Sequence, residues 1–237
     1  MSTINRLQAA LLAPVLTVLL SSCSDSGTST QNIQFSKERV KGCELVSAEL
    51  VATTFAVPAE NLKQTRMMGC IYTWDNEQDQ LQASVMMARA HKNATAASAW
   101  FANATRNRTA AESQAEIDQV AERLESREEL NATAGKSVTK TLLKAAGAKA
   151  VVYTDIANIG DEARAAADGS LWVRVGNLTV TISAYHGAKQ PETQLSGLGI
   201  KEMIAAANEA DSDWQAQTAP QRLEDSSRLA NAIVARL

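Results

Sequence analysis

No stretch of this chain leaves the fold less freedom than DGSLWVRVGNLTVTISAY, residues 168–185. Gly176-Asn177 between two alternating runs is a two-residue hairpin turn, and the turn dictates the register. Val175 then faces Leu178, Val173 faces Val180 and Leu171 faces Ile182, so six apolar side chains share one face. Trp172, Arg174, Thr179, Thr181 and Ser183 occupy the other, which is polar enough to meet water or a partner. A tryptophan beside an arginine on such a face has hot-spot chemistry, and Trp172 with Arg174 is the candidate partner or ligand face. The competing expectation is that Trp172 packs under a helix.

The remaining periodicities place other elements around this hairpin. Ser47 suits an N-cap for a helix with Ala48, Val51, Ala52 and Phe55 on one side, stopped by Pro58. Cys70, Tyr72 and Trp74 alternate with Ile71 and Thr73. After the polar turn DNEQDQ, Leu81, Ala83, Val85 and Met87 alternate again, which predicts a second hairpin. From Asn93 to Glu129 two amphipathic helices are expected, one carrying Ala97, Trp100, Phe101 and Ala104, the other Ile117, Val120, Ala121 and Leu124. The acidic run beside the latter reads as a solvated face. A helix over 136–146, a strand beginning at Val151–Tyr153, a helix marked by Ile200, Met203, Ile204 and Ala207, and a last helix opened by Thr218-Ala219-Pro220 complete the chain. This order predicts an α+β fold: an antiparallel sheet of about five strands with helices packed mainly on one face, in a single domain over residues 42–237.

Residues 1–22 carry one charge, Arg6, and an apolar run from Leu11 to Leu20 that contains Pro14. That is the layout of a signal peptide, and the run is too short for a transmembrane helix. It ends in Leu20-Ser21-Ser22-Cys23, which resembles the lipobox of bacterial lipoproteins. The resemblance implies cleavage before Cys23, a diacylglycerol on its thiol and an acylated (palmitate-type) amino terminus. Residues 23–41 would then be a lipidated flexible tether, and the domain would lie in the cell envelope, in the periplasm or otherwise outside the cytoplasmic membrane.

With Cys23 committed to lipid, Cys43 and Cys70 are the only possible intramolecular pair among three cysteines. Outside the cytoplasm a disulfide there would close a loop of about 28 residues and contribute roughly 3.5 kcal/mol; two unpaired core thiols are the alternative. Two cysteines with His91 and His186 offer too few ligands at these spacings for a metal site, and no Cys-x-x-Cys signals redox chemistry. The 23 basic residues, one of them Arg6 in the leader, against 26 acidic argue against a nucleic-acid partner and against an anionic-membrane surface.

The cysteine before the first helix, CIYTW, the turn IGDEA at 159–163 and LWVRVGNLTVTI at 171–182 together resemble a loose group of small bacterial lipoproteins and extracytoplasmic sensor-like domains, some with PsbP/Mog1-type folds. The resemblance implies the Cys43–Cys70 disulfide and a ligand or partner surface, and it supplies no catalytic residue.

Motifs that would signal chemistry fall short. AGKS at 134–137 has Leu130 where a phosphate-binding loop needs glycine, and GLG at 197–199 lacks the third glycine of a dinucleotide fingerprint. Asp161 with Glu162, and His186, are acid/base candidates without a nucleophile or an orienting partner in view. The functional expectation is a lipid-anchored protein-interaction or assembly module, with no catalytic residue, metal or cofactor. The alternative is a carrier or sensor of a small apolar ligand, and a hydrolase is weaker still.

Overall fold

A computed structural model describes residue 35, residues 40–66, 69–125, 149–191, 193, 196–197 and 199–237. The leader, Cys23 and the helix expected at 136–146 lie outside these residues. The fold is α+β, built on one antiparallel sheet of seven strands rather than about five. In chain order these are β1 (Lys63–Thr65), β2 (Gly69–Asp75), β3 (Asp79–Ala90), β4 (Tyr153–Asp155), β5 (Glu162–Ala166), β6 (Leu171–Val175) and β7 (Leu178–Ala188). Across the sheet they run β1-β2-β3-β7-β6-β5-β4, so the two chain halves meet where β3 pairs with β7. The described α-helices are α1 (Gly42–Leu45), α2 (Ala48–Phe55), α3 (Ala94–Ala104), α4 (Ala110–Glu125) and α5 (Ile200–Val234).

The hairpin has the expected register, with Val175 opposite Leu178, Val173 opposite Val180 and Leu171 opposite Ile182. Gly176 takes a φ of 58° at the first turn position, a conformation open to glycine without strain. The two strands absent from the sequence reading have physical reasons to be hidden. β1 is three polar, exposed residues at the sheet edge. β5 is EARAA, poor in β-formers. The chain turns at Asn158 and Gly160 (φ 65° and 58°) and enters β5 at Glu162, so the IGDEA segment is half turn and half strand.

One sheet face carries Cys70, Tyr72, Leu81, Ala83, Val85, Ala163, Ala165, Leu171, Val173, Leu178, Val180 and Ile182, and packs on Leu50, Val51 and Phe55 of α2 and Leu229, Ala230 and Ile233 of α5. α2 starts as expected, with the Ser47 hydroxyl accepting from Leu50 N–H, and ends in a left-handed Ala56 two residues before Pro58. The opposite face is covered in part by α3, whose Ala97 and Phe101 are fully buried, so helices are not confined to one side. Arg164 ties α3 to β5 by donating to the Thr105 carbonyl and hydroxyl at 3.1 and 3.0 Å.

α5 is one helix of 35 residues, where two were expected. Pro220 cannot donate an N–H and costs a helix interior about 3 kcal/mol, yet the helix continues through it because both flanks are anchored. Leu229 and Ile233 sit in the core, while Trp214 and Arg222 hold Tyr185 on the opposite face. The helix therefore crosses from one face to the other, and it does so beside β7 where β6 has ended. There the Ser226 hydroxyl accepts from Ala184 N–H at 3.0 Å and the Asp225 carboxylate from His186 N–H at 2.8 Å, satisfying strand donors that β6 does not reach. At the other end of α5, Ile204 is 57 % exposed and belongs to no core.

Cys43 and Cys70 form the disulfide, with Cα atoms 4.9 Å apart. Gly42 permits this approach: a Cβ there would lie 2.5 Å from the Val85 carbonyl oxygen. The bond fixes α1 to β2, and Gln64 of β1 donates to both Cys70 Sγ and the Tyr72 hydroxyl. Among the described residues no helix is long and apolar enough to cross a membrane.

Candidate functional site

The second sheet face gathers aromatic side chains into a row. β6 places Trp172 there by strand alternation, with its ring 6.0 Å from Trp100 of α3 on one side and 6.2 Å from Tyr153 of β4 on the other. Trp100 in turn lies 5.2 Å from His91, just beyond β3, and the Arg89 guanidinium sits 5.6 Å over the Trp100 ring. Trp100, Trp172, Tyr153 and His91 are all half-buried, and Arg89 is exposed. Two of the chain's four tryptophans thus lie in a surface row rather than in the main core.

The row is partly dehydrated. Burial pushes the Tyr153 hydroxyl above its usual range, with Arg108 opposing the shift. Burial is also the main cause that lowers His91 below the ordinary imidazole value, with the Arg89 charge adding to it. His91 Nε2 lies 2.9 Å from the Thr179 hydroxyl, which is itself buried on this face. His91 therefore favours the neutral form at neutral pH, and the row presents π surface with Arg89 over one end and Arg108 near the other.

Arg174 is next to Trp172 in sequence and stands on the same face, but its charge is already engaged. It donates to Asp161 Oδ2 at 2.9 Å, to Glu162 Oε1 at 2.8 Å and to the Gly176 carbonyl at 2.9 Å, with its side chain 12 % exposed. Asp161 also accepts from Gly176 N–H, and Glu162 from the Ser98 hydroxyl. This network closes the hairpin turn and holds α3 to the sheet. Asp161 and Glu162, the acid/base candidates of the sequence, both belong to it.

His186 lies towards the opposite end of the sheet, opposite Leu81. Its ring is 5.9 Å from Phe55 and 6.0 Å from Trp74. The fold does not bring it together with Asp161 or Glu162. No group of three or more His, Cys, Asp or Glu among the described residues is placed to hold a metal ion. The space between the main sheet face and its helices is filled by fully buried side chains such as Leu171, Ile182, Leu229 and Ile233. A cavity of about 620 Å³ lies instead at the sheet end, lined by Val40, Lys41, Cys43, Glu44, Arg66, Gly69, Met87 and Ala88.

Of the row's members, strand alternation in the sequence identifies Trp172, and helical spacing places Trp100 only in an apolar stripe. Arg89, His91 and Tyr153 were not connected to it. The available signal was the repeated aromatic placement on elements predicted to touch the hairpin, but nothing local says that α3 covers this face. No family model, curated protein or solved structure matches this chain.

Proposed function

We propose that this protein is an envelope lipoprotein, anchored through Cys23, whose folded domain is a protein-interaction or assembly module that binds another envelope protein through the row Trp100, Trp172 and Tyr153. One observation carries the reading: two tryptophans and a tyrosine are lined up ring to ring on a face that leaves each half-exposed. Large rigid rings that are partly desolvated before binding lose little entropy on contact, which is why Trp, Tyr and Arg dominate interface hot spots. Exposed Arg89 at the end of the row adds a cation for a partner's carboxylate or carbonyl. The Arg174 network, on the same face, serves this surface by fixing the strand that carries Trp172.

The carrier reading draws its support from the cavity at the sheet end, whose lining mixes Val40, Met87 and Ala88 with Lys41, Glu44 and Arg66. A site for a small apolar ligand is usually more uniformly apolar and is often set between packed elements, so the interaction reading is favoured.

Photo-crosslinking in the native envelope tests it. A photoreactive residue at Ala99, exposed beside Trp100 on α3, should give one discrete protein adduct, and one at Glu77 in the distant turn should not. The adduct should disappear in Trp100→Ala and Tyr153→Ala proteins that retain the wild-type melting temperature. Equal yields from both positions, or an adduct indifferent to both substitutions, would contradict the proposal.

A further inference from the structure

We infer that the end of the sheet that receives the tether rests on anionic phospholipid headgroups of the membrane that holds the anchor. The inference depends on lipidation at Cys23, as proposed above, and adds an orientation and a second contact to it.

The point of entry is fixed by side-chain chemistry. Asn177, buried in the hairpin turn, accepts from Phe35 N–H at 2.8 Å and donates to the Phe35 carbonyl at 3.0 Å and the His91 carbonyl at 2.7 Å. Phe35 is thereby held at the sheet end formed by the Gly176-Asn177 turn, the end of β3 and the start of β2. Only twelve residue steps separate Cys23 from Phe35, and covalent geometry limits that span to about 40 Å in any conformation. The end bearing Phe35 is the part of the described domain closest along the chain to the bilayer.

The two ends of the sheet differ in charge. At the tether end Glu44 pairs with Lys41, while Asp161 and Glu162 share the single cation of Arg174, which leaves one negative charge in excess among these pairs. Arg66, Arg89 and Lys92 are exposed at the same end and make no ion pair among the described residues. The opposite end carries Asp75 at the end of β2, Glu77 in the turn that follows, Asp79 at the start of β3 and Asp168 before β6. Of these only Asp75 is in an ion pair, with Lys63 and Lys189, and Arg222 over the Tyr185 ring is a further cation at this end. The sheet therefore has a basic end and an acidic end, within a chain whose net charge is −3.

That asymmetry decides the orientation. β3 has 12 residues, and at about 3.3 Å each it separates the two ends by roughly 35–40 Å. The screening length in physiological salt is about 8 Å, so headgroups feel only the charges of the end that faces them. An anionic surface attracts the Arg66, Arg89 and Lys92 end and repels the other despite the net negative charge. The same end offers an apolar contact. Met87 occupies a bulge between the pairs Met86–Thr181 and Arg89–Thr179, takes a φ of 49°, and is 54 % exposed beside the cavity at the disulfide. A non-glycine residue held in the left-handed region carries strain that the surrounding structure must offset, and here it presents an exposed methionine towards the tether side.

The test uses the full lipidated protein, extracted from membranes and reconstituted in vesicles of phosphatidylglycerol with phosphatidylethanolamine, or of phosphatidylcholine alone. Amide hydrogen exchange should be slowed about fivefold or more over residues 87–92 in the anionic vesicles relative to the neutral ones. The slowing should vanish in about 1 M salt and in an Arg66→Glu, Lys92→Glu variant, which leaves the aromatic row untouched. Exchange over residues 76–79 should not change. Equal exchange in the two vesicle types, or protection at 76–79, would overturn the inference. The intact mass of the same sample separates the two claims: with acyl mass present, a missing composition effect sinks the orientation alone, whereas a missing acyl mass removes the anchor and the orientation together.

Discussion

Asn177 grips Phe35 by both backbone groups, its side-chain amide standing where a neighbouring strand would otherwise supply an N–H and a carbonyl. The third bond, to the His91 carbonyl, joins the hairpin turn to the start of α3. One side chain thus connects the incoming chain, the turn and the segment leading to the aromatic row. Asn177→Ala retains the turn glycine and removes all three bonds, leaving partly buried backbone groups unsatisfied. The expected cost is about 2–3 kcal/mol, read as a lower denaturant midpoint at unchanged slope. An unchanged midpoint would mean that the clamp contributes nothing.

Cys43→Ser should destabilise the domain by about 3 kcal/mol, the loop-closure effect for a bond spanning 27 positions. Cys70 is fully buried, so the partner thiol left behind stays in the core. Thermal melts with and without reductant check this: the wild type should fall towards the variant when reduced, and the variant should not respond.

Arg174→Met should cost about 2–4 kcal/mol, because it leaves Asp161 and Glu162 without their cation while Asp161 is only 15 % exposed. Replacing all three residues by Met, Asn and Gln should recover part of the loss, since the penalty comes chiefly from unmatched carboxylates. Chemical denaturation of the single and triple variants measures both steps.

His91 makes stability depend on pH in a defined direction. Its folded pKa lies below the ordinary 6.5, first because burial disfavours the charged ring and then because of Arg89. The unfolded chain therefore binds more protons than the folded one just below pH 6.5, so stability from this site is fully present above that value and is lost as pH falls through the folded pKa. His91→Gln should flatten the stability profile between pH 7 and the acid limb; a profile of unchanged slope would contradict the assignment.

The hairpin at Gly176-Asn177 was legible because a turn signal and a strict alternation agreed, and both are local. The Cys43–Cys70 pair was legible by elimination. β5 was not, because Glu162 and Arg164 become strand residues only through Arg174 on β6 and through Asp155 and Thr105. Pro220 reads as a helix start from its own chemistry, and only the anchoring of Trp214, Arg222 and Leu229 carries one helix through it. The site shows the same division. Trp172 could be placed on a face by counting residues, yet the helix over that face, the stacking of Trp100 and Tyr153 and the engagement of Arg174 depend on partners about 10 to 80 positions away that no local pattern encodes.

The anchor is the premise on which address, orientation and partner all depend. Intact-mass and fragment analysis of the protein extracted from membranes tests it directly. The account predicts a polypeptide beginning at Cys23, with a thioether-linked diacylglycerol on that residue and Cys43 joined to Cys70. A chain that retains residues 1–22, or one whose Cys23 carries a free thiol, would contradict it.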